Sequence, residues 1–150
     1  MCTTLLIVMS LSLFLTGCLQ ESKPQIKAKT SAEDPMCNPT PIRYQKWEEM
    51  AIAEAKAVKG VDKAVAVQID DELDVAIEVS NFNRFRLETI EKEVSQALKK
   101  KFPETKIHVT SDKKLMNELQ KLSNEPWAGE QEKACKQKKK LKKIEKDMKG

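Results

Sequence analysis

The sequence predicts a small α+β domain, a two-layer sandwich in which a three-stranded sheet carries helices on one face. Stretches with helical and with strand-like hydrophobic periods alternate along the chain in the order α-β-β-α-β-α. The strand-like stretches alternate apolar with polar residues, so only one face of the sheet needs a cover of helices. In a chain of 150 residues with 33% charged side chains, such a domain has a modest core.

The N-terminal stretch precedes this domain and has the composition of a signal peptide. Residues Leu5–Leu15 are apolar except for two serines, a run shorter than the roughly 20 residues that a membrane-spanning helix needs. The sequence LTGC at positions 15–18 resembles a bacterial lipobox. We therefore predict a lipoprotein signal peptide at 1–17 and a diacylglyceryl group on Cys18, which tethers the protein to the extracytoplasmic face of a membrane. An ordinary secretory signal with a coincidental cysteine is the alternative.

Residues 18–43 contain four prolines and no sustained hydrophobic period. This composition predicts a flexible linker that begins at the lipidated cysteine and separates the membrane from the domain. We place the α+β domain at 44–129 and a lysine-rich tail at 130–150.

The first predicted helix lies in the stretch YQKWEEMAIAEAKAVKG. Trp47, Ala51, Ala55 and Val58 follow one another at spacings of four, four and three residues, which places them on one helical face. Gly60 then provides a C-terminal stop. This segment therefore predicts a helix with one apolar face.

The following stretch, VDKAVAVQIDDELDVAIEVSN, changes to the two-residue period of a strand. Two strands joined at Asp70-Asp71-Glu72 fit this period best, and we predict a hairpin of half-buried strands. The apolar residues that alternate with smaller or polar ones are Val65, Val67, Ile69, Leu73, Val75, Ile77 and Val79.

A second helix, a third strand and a third helix complete the domain. The stretch RFRLETIEKEVSQALKKKFPE has a helical apolar stripe that ends before Pro103, and TKIHVTSD predicts a strand with Ile107 and Val109 inward. Ser111 or Asp112 can cap the third helix. A right-handed crossover makes the third strand parallel to the second if the two are neighbours. The stripes are Leu87, Ile90, Val94, Ala97 and Leu98 in the second helix and Leu115, Leu119 and Leu122 in the third.

The sequence offers no recognisable constellation of catalytic or metal-binding residues, so we predict a protein that is not an enzyme and takes no metal or cofactor. Its one histidine, His108, is predicted to point toward solvent, opposite to the inward residues of its strand. Cys37 and Cys135 are 98 positions apart and have no zinc-site spacing. Outside the cytoplasm they can form one disulfide, and two free thiols are the alternative that the residues leave open.

The C-terminal segment, 130–150, carries nine lysines against four acidic residues. Leu141, Ile144 and Met148 fall at helical spacings, so a basic amphipathic helix and a solvated charged tail are both open. Because interleaved aromatic residues are missing, nucleic acid is not the expected partner. We expect the segment to fold back onto anionic lipid or an anionic envelope polymer, with the three apolar side chains toward the interface. The candidate contact residues are Lys138, Lys139, Lys140, Lys142 and Lys143.

The lipobox, the linker, the hairpin VKGVDKAVAVQIDDELDVAIEV and the segment FPETKIHVTSDKKL together resemble the YhcN/YlaJ-type sporulation lipoproteins of endospore-forming bacteria. The resemblance spans about residues 44–123, while the acidic hairpin turn and the lysine-rich end depart from the family pattern. It implies a membrane-anchored lipoprotein of the spore or cell envelope that influences sporulation or germination through binding, without catalysis. A general cell-envelope adaptor that is not specific to spores, and that binds a protein partner or an anionic polymer, is the alternative.

Overall fold

The computed structural model describes residues 34–149, so the predicted signal peptide, 1–17, and Cys18 lie outside the described residues. The predicted element order is confirmed, and the C-terminal segment adds a further helix. Two short 3-10 turns, Pro35–Cys37 and Asn81–Arg86, precede the first and second helices. The helices are α1 (Gln45–Ala57), α2 (Leu87–Lys101), α3 (Lys113–Asn124) and α4 (Gln131–Met148), and the strands are β1 (Val61–Ile69), β2 (Glu72–Val79) and β3 (Lys106–Thr110).

The three strands form one mixed sheet in the order β1-β2-β3. β1 and β2 form the predicted antiparallel hairpin. β3 runs parallel to β2, with Val109 opposite Val75, and α2 connects these two strands. The parallel arrangement predicted from the crossover rule is therefore confirmed.

α1 and α2 cover one face of this sheet with apolar side chains. Ile90, Val94 and Leu98 of α2 are fully buried there, as the apolar stripe predicts. Ala51 and Ala55 of α1 are also fully buried. The buried sheet residues of this face are Ala66, Leu73, Val75 and Ile77. Val75 and Ile77 of β2 therefore belong to the same buried cluster as the apolar stripe of α2.

α3 and α4 cover the opposite face, which corrects the prediction of a two-layer sandwich with helices on one face. The side chains buried on this second face are Val65, Val67, Ile69, Ala76, Leu115, Leu119, Leu122, Leu141 and Ile144. The α+β class and the element order hold, but the sheet forms the middle of three layers.

The length of the hairpin turn explains the second buried face. A three-residue turn at Asp70-Asp71-Glu72 would place Ile69 opposite Leu73, whereas in the structure Ile69 pairs with Glu72 across a two-residue turn. Because side chains alternate along a strand, this single residue puts the apolar rows of β1 and β2 on opposite faces. Each row then needs helices of its own. Asp70 takes a φ of 55°, a left-handed conformation that aspartate tolerates in turns.

Residues 34–43, the last part of the predicted linker, pack against the domain. The backbone N–H of Ile42 donates to Oδ1 of Asp70 at 2.8 Å. The guanidinium of Arg43 forms a bidentate ion pair with the buried Glu48 carboxylate at 2.7 and 2.8 Å, and it also donates to backbone carbonyls at the end of α3. A cation is favourable at a helix C-terminus. This part of the chain therefore belongs to the domain rather than to a linker.

Candidate functional site

Cys37 and Cys135, for which the sequence left a disulfide and two free thiols open, lie near opposite ends of the described chain and meet at α4. Cys135, in the second turn of α4, is bonded to Cys37, and their Cα atoms are 5.2 Å apart. Both side chains are buried. The Asp34 carboxylate lies within 4.8 Å of these sulfurs, but sulfurs bonded to each other do not act as thiolate ligands for a metal. The bond fastens the start of the domain to its last helix.

The five candidate lysines all lie on α4 and each contacts a carboxylate, but they differ in exposure. Lys138 Nζ is 2.7 Å from Oδ2 of Asp70, and Lys142 contacts both Glu72 and Glu145. These two lysines are 16% and 31% exposed, and they hold α4 against the sheet. The more exposed lysines and their partners are Lys139 with Asp34, Lys140 with Glu125 and Lys143 with Asp147.

The apolar side chains of α4 face the sheet. Leu141 and Ile144 are 1% and 4% exposed, and Met148 packs against the same cluster. The expectation that these three residues turn toward a membrane interface is therefore wrong, because they bury their apolar surface against the apolar row of β1. Among residues 34–149, no helix combines the length and the apolar character needed to cross a bilayer.

A group of charged side chains, Glu72, Asp74, His108, Lys142 and Glu145, lies between the sheet and α4, and we call it the charged cluster. Nδ1 of His108 is 2.9 Å from Oδ1 of the fully buried Asp74, and Nε2 is 3.4 Å from Oε1 of Glu145. Asp74 and His108 are direct partners across β2 and β3, which brings their side chains together. The imidazole is 20% exposed, so the prediction that His108 points toward solvent is wrong.

Burial acts on two carboxylates of the charged cluster with different outcomes. Burial raises the pKa of Asp74, and the contact with His108 offsets this effect only in part. Burial also disfavours the ionised form of Glu145, but the ammonium groups of Lys142 and Lys149, together with His108, lower its pKa to about 2. Both ring nitrogens of His108 face carboxylates, and the ion pairs of the charged cluster hold α4 on the sheet.

A surface that the sequence prediction missed is the 3-10 turn Asn81–Arg86, sequence NFNRFR, which we call the aromatic-basic turn. The side chains of Phe82 and Phe85 are 97% and 102% exposed. Arg84 lines a neighbouring cleft of about 410 Å³ together with Lys113 at the start of α3. The sequence contains one signal for this surface: Phe82 and Phe85 lie outside the apolar patterns of β2 and α2.

Comparison with known proteins identifies the family. The family model described as Sporulation lipoprotein YhcN/YlaJ matches residues 20–138. The match includes the whole sheet, α1 to α3, both bonded cysteines and part of α4. No curated protein and no solved structure matches the chain.

Proposed function

Because the chain belongs to the YhcN/YlaJ family of sporulation lipoproteins, we propose that it acts in sporulation or germination by binding, without catalysis. The anchor is a diacylglyceryl group on Cys18, which holds the domain at the extracytoplasmic face of the cell or spore membrane. Two acyl chains give stable attachment where a single chain gives only marginal binding. Membership of a lipoprotein family, and not of a known enzyme family, supports this assignment.

The outward side of α4 is the observation that carries the binding role. The side chains of Lys139, Lys140 and Lys143 are 50%, 44% and 71% exposed. They stand on a helix whose apolar side is fixed in the core, so their ammonium groups, each beside one carboxylate, reach solvent on a rigid support. Near an anionic surface each basic residue contributes about 1 kcal/mol within a Debye length. We take anionic lipid or an anionic envelope polymer as the partner.

Replacing Cys18 tests the anchor. Fractionation of cells that produce the Cys18→Ser chain should show protein released from the membrane or left uncut, whereas the parent chain sediments with membranes. The intact mass of the parent protein should include the lipid. An unmodified N-terminus at another residue would refute the lipid anchor.

Two triple variants with equal loss of charge test the basic side of α4. The mature chain without acyl groups should bind phosphatidylglycerol vesicles, ignore phosphatidylcholine vesicles and dissociate as salt rises. Exchange of the three exposed α4 lysines for glutamine should weaken this binding several-fold. The matched control carries Lys99→Gln, Lys100→Gln and Lys101→Gln on α2. Equal losses for the two variants would mean that net charge, and not the α4 surface, determines binding.

The timing of expression distinguishes the sporulation role from that of a general envelope adaptor. Family membership favours the first. A transcript and protein confined to sporulating cells would agree with the proposal. Steady production in vegetative cells would favour an adaptor that binds a protein partner or polymer throughout growth.

A further inference from the structure

We propose that the aromatic-basic turn, Asn81–Arg86, docks onto the anionic membrane that carries the lipid anchor. Phe82 and Phe85 enter the interfacial region, and Arg84 and Arg86 contact lipid phosphates. The proposal rests on the proposed anchor at Cys18, but it assigns the membrane contact to the aromatic-basic turn and is independent of the proposed role of the α4 lysines.

The exposure of the two phenyl rings is the first argument. Both side chains lie almost completely in solvent, although each has a large apolar surface. Phe82 and Phe85 are three positions apart in a 3-10 turn of six residues, and the three-residue period of that turn places both side chains on the same side. Aromatic rings at an interface gain apolar contact with acyl chains while their charged neighbours stay among the headgroups.

The turn is also held in place by the scaffold. The side-chain amide of Asn83 donates to Oγ of Ser80 at 2.7 Å, and the backbone N–H of Ser80 donates to the carbonyl of Gly60 at 3.1 Å. Gly60 has a φ of 105°, and a Cβ there would lie 3.0 Å from Nδ2 of Asn83. A backbone fixed in this way presents the phenyl rings outward without the entropy loss of ordering a flexible loop.

The charge of the turn selects an anionic surface. Arg84 and Arg86 alternate with the phenylalanines, and Lys113 lies on the adjoining cleft with Arg84. Arg86 is 3.4 Å from Glu93, an exposed contact whose two side chains are half in solvent. A guanidinium binds phosphate oxygens in a bidentate manner, which suits a phospholipid headgroup.

The tether is long enough for this contact. The N-terminal segment joins the sheet at the hairpin-turn end, where Ile42 meets Asp70, and the aromatic-basic turn follows the other end of β2. The eight residues of β2 span about 27 Å. Cys18 and Asp34 are sixteen positions apart, which gives a contour of up to about 55 Å. Anchor and turn can therefore reach the same bilayer together.

Tryptophan fluorescence of the full lipidated protein in vesicles tests the proposal. Intact mass first establishes acylation of Cys18, so that failure of the anchor and failure of the docking are separate results. In vesicles containing phosphatidylglycerol, Phe82→Trp should shift its emission to shorter wavelength and be quenched by brominated lipid, after subtraction of the parent spectrum. Gln120→Trp, at an exposed position on α3, is the matched control and should stay unquenched.

Charge variants give the second measurement. Arg84→Gln and Arg86→Gln, introduced with Phe82→Trp, should each lower the ratio of docked to undocked protein about fivefold in low salt. Equal quenching at positions 82 and 120, or none at 82, would overturn the proposal. Absence of quenching together with a cross-linked dimer that Phe85→Glu abolishes would identify a second copy of the chain as the occupant and also overturn it.

Discussion

The face of the sheet under α1 and α2 is buried mainly by apolar side chains, whereas the face under α3 and α4 combines leucines with the charged cluster. On the first face, Val75 and Ile77 meet the apolar stripe of α2. On the second face, Asp74 and His108 project from neighbouring strands toward Glu145. The same sheet is thus closed on one side mainly by hydrophobic contact, with one buried ion pair between Arg43 and Glu48 of α1. The other side is closed by hydrophobic contact, several ion pairs and a disulfide.

This difference means that the two faces respond to different conditions. Apolar burial is insensitive to pH and redox state, while ion pairs depend on protonation and the disulfide on the redox environment. We therefore expect α4 to be the helix whose attachment changes with solution conditions, and α2 to be the stable reference. The predictions below test this contrast, beginning with the largest expected effect.

Removal of the disulfide should have the largest effect and should act on α4. The bond closes a loop of 98 positions, and the chain-entropy model assigns about 4.7 kcal/mol to a loop of about 100 residues. Urea unfolding of the Cys37→Ser, Cys135→Ser double variant measures the loss. Hydrogen exchange should accelerate in α4 more than in α2. Uniform acceleration across both helices would show that the two faces are not separately sensitive.

A substitution that creates a cavity on the first face should cause the next largest loss of unfolding free energy, and this loss should not depend on redox state. Ile77 is 1% exposed, and Ile77→Ala should destabilise the domain by about 2–5 kcal/mol. The neighbouring Glu78 points to the other side of the strand and forms an exposed pair with Lys63, so Glu78→Ala should cost little. Similar losses of unfolding free energy at the two positions would contradict the assigned strand register.

Loss of the Glu145 charge should have a somewhat smaller effect that depends on pH. Its pKa falls from 4.5 to about 2 on folding, so ionised Glu145 stabilises the domain above about pH 4.5, and this contribution disappears as pH falls toward 2. Glu145→Gln should therefore cost on the order of 3 kcal/mol at pH 7 and progressively less in acid. The buried Asp74, whose pKa is raised, acts in the opposite direction because its ionised form is disfavoured.

Urea unfolding between pH 7 and pH 3 checks this prediction. Asp147→Asn is the matched control on the same helix, since Asp147 is 37% exposed and lies 3.9 Å from Lys143. Its effect should be small and nearly independent of pH. A Glu145→Gln variant whose deficit stays constant over this range would show that the charged cluster does not stabilise α4.

The candidate sites could be predicted from the sequence to different degrees. The predicted lipobox at Cys18 rests on a local motif, and it stays a prediction because it lies outside the described residues. The lysines of α4 were found by composition, but several of their carboxylate partners come from distant segments, as with Lys138 and Asp70. The aromatic-basic turn was not predicted, because the sequence does not show that the side chains of Phe82 and Phe85 are exposed.

The sequence by itself determined which segments before residue 130 are helices and strands, which helical sides are apolar and, to within one residue, where the hairpin turn lies, because these depend on periodicity within one segment. Only the tertiary structure decided that the sheet has two buried faces. The hairpin turn is one residue shorter than predicted, so Ile69 lies opposite Glu72 and not opposite Leu73. The tertiary structure also decided that α4 packs on the sheet, that Cys37 reaches Cys135 and that His108 lies between two carboxylates. Those contacts join residues far apart in the chain, and no local pattern encodes them.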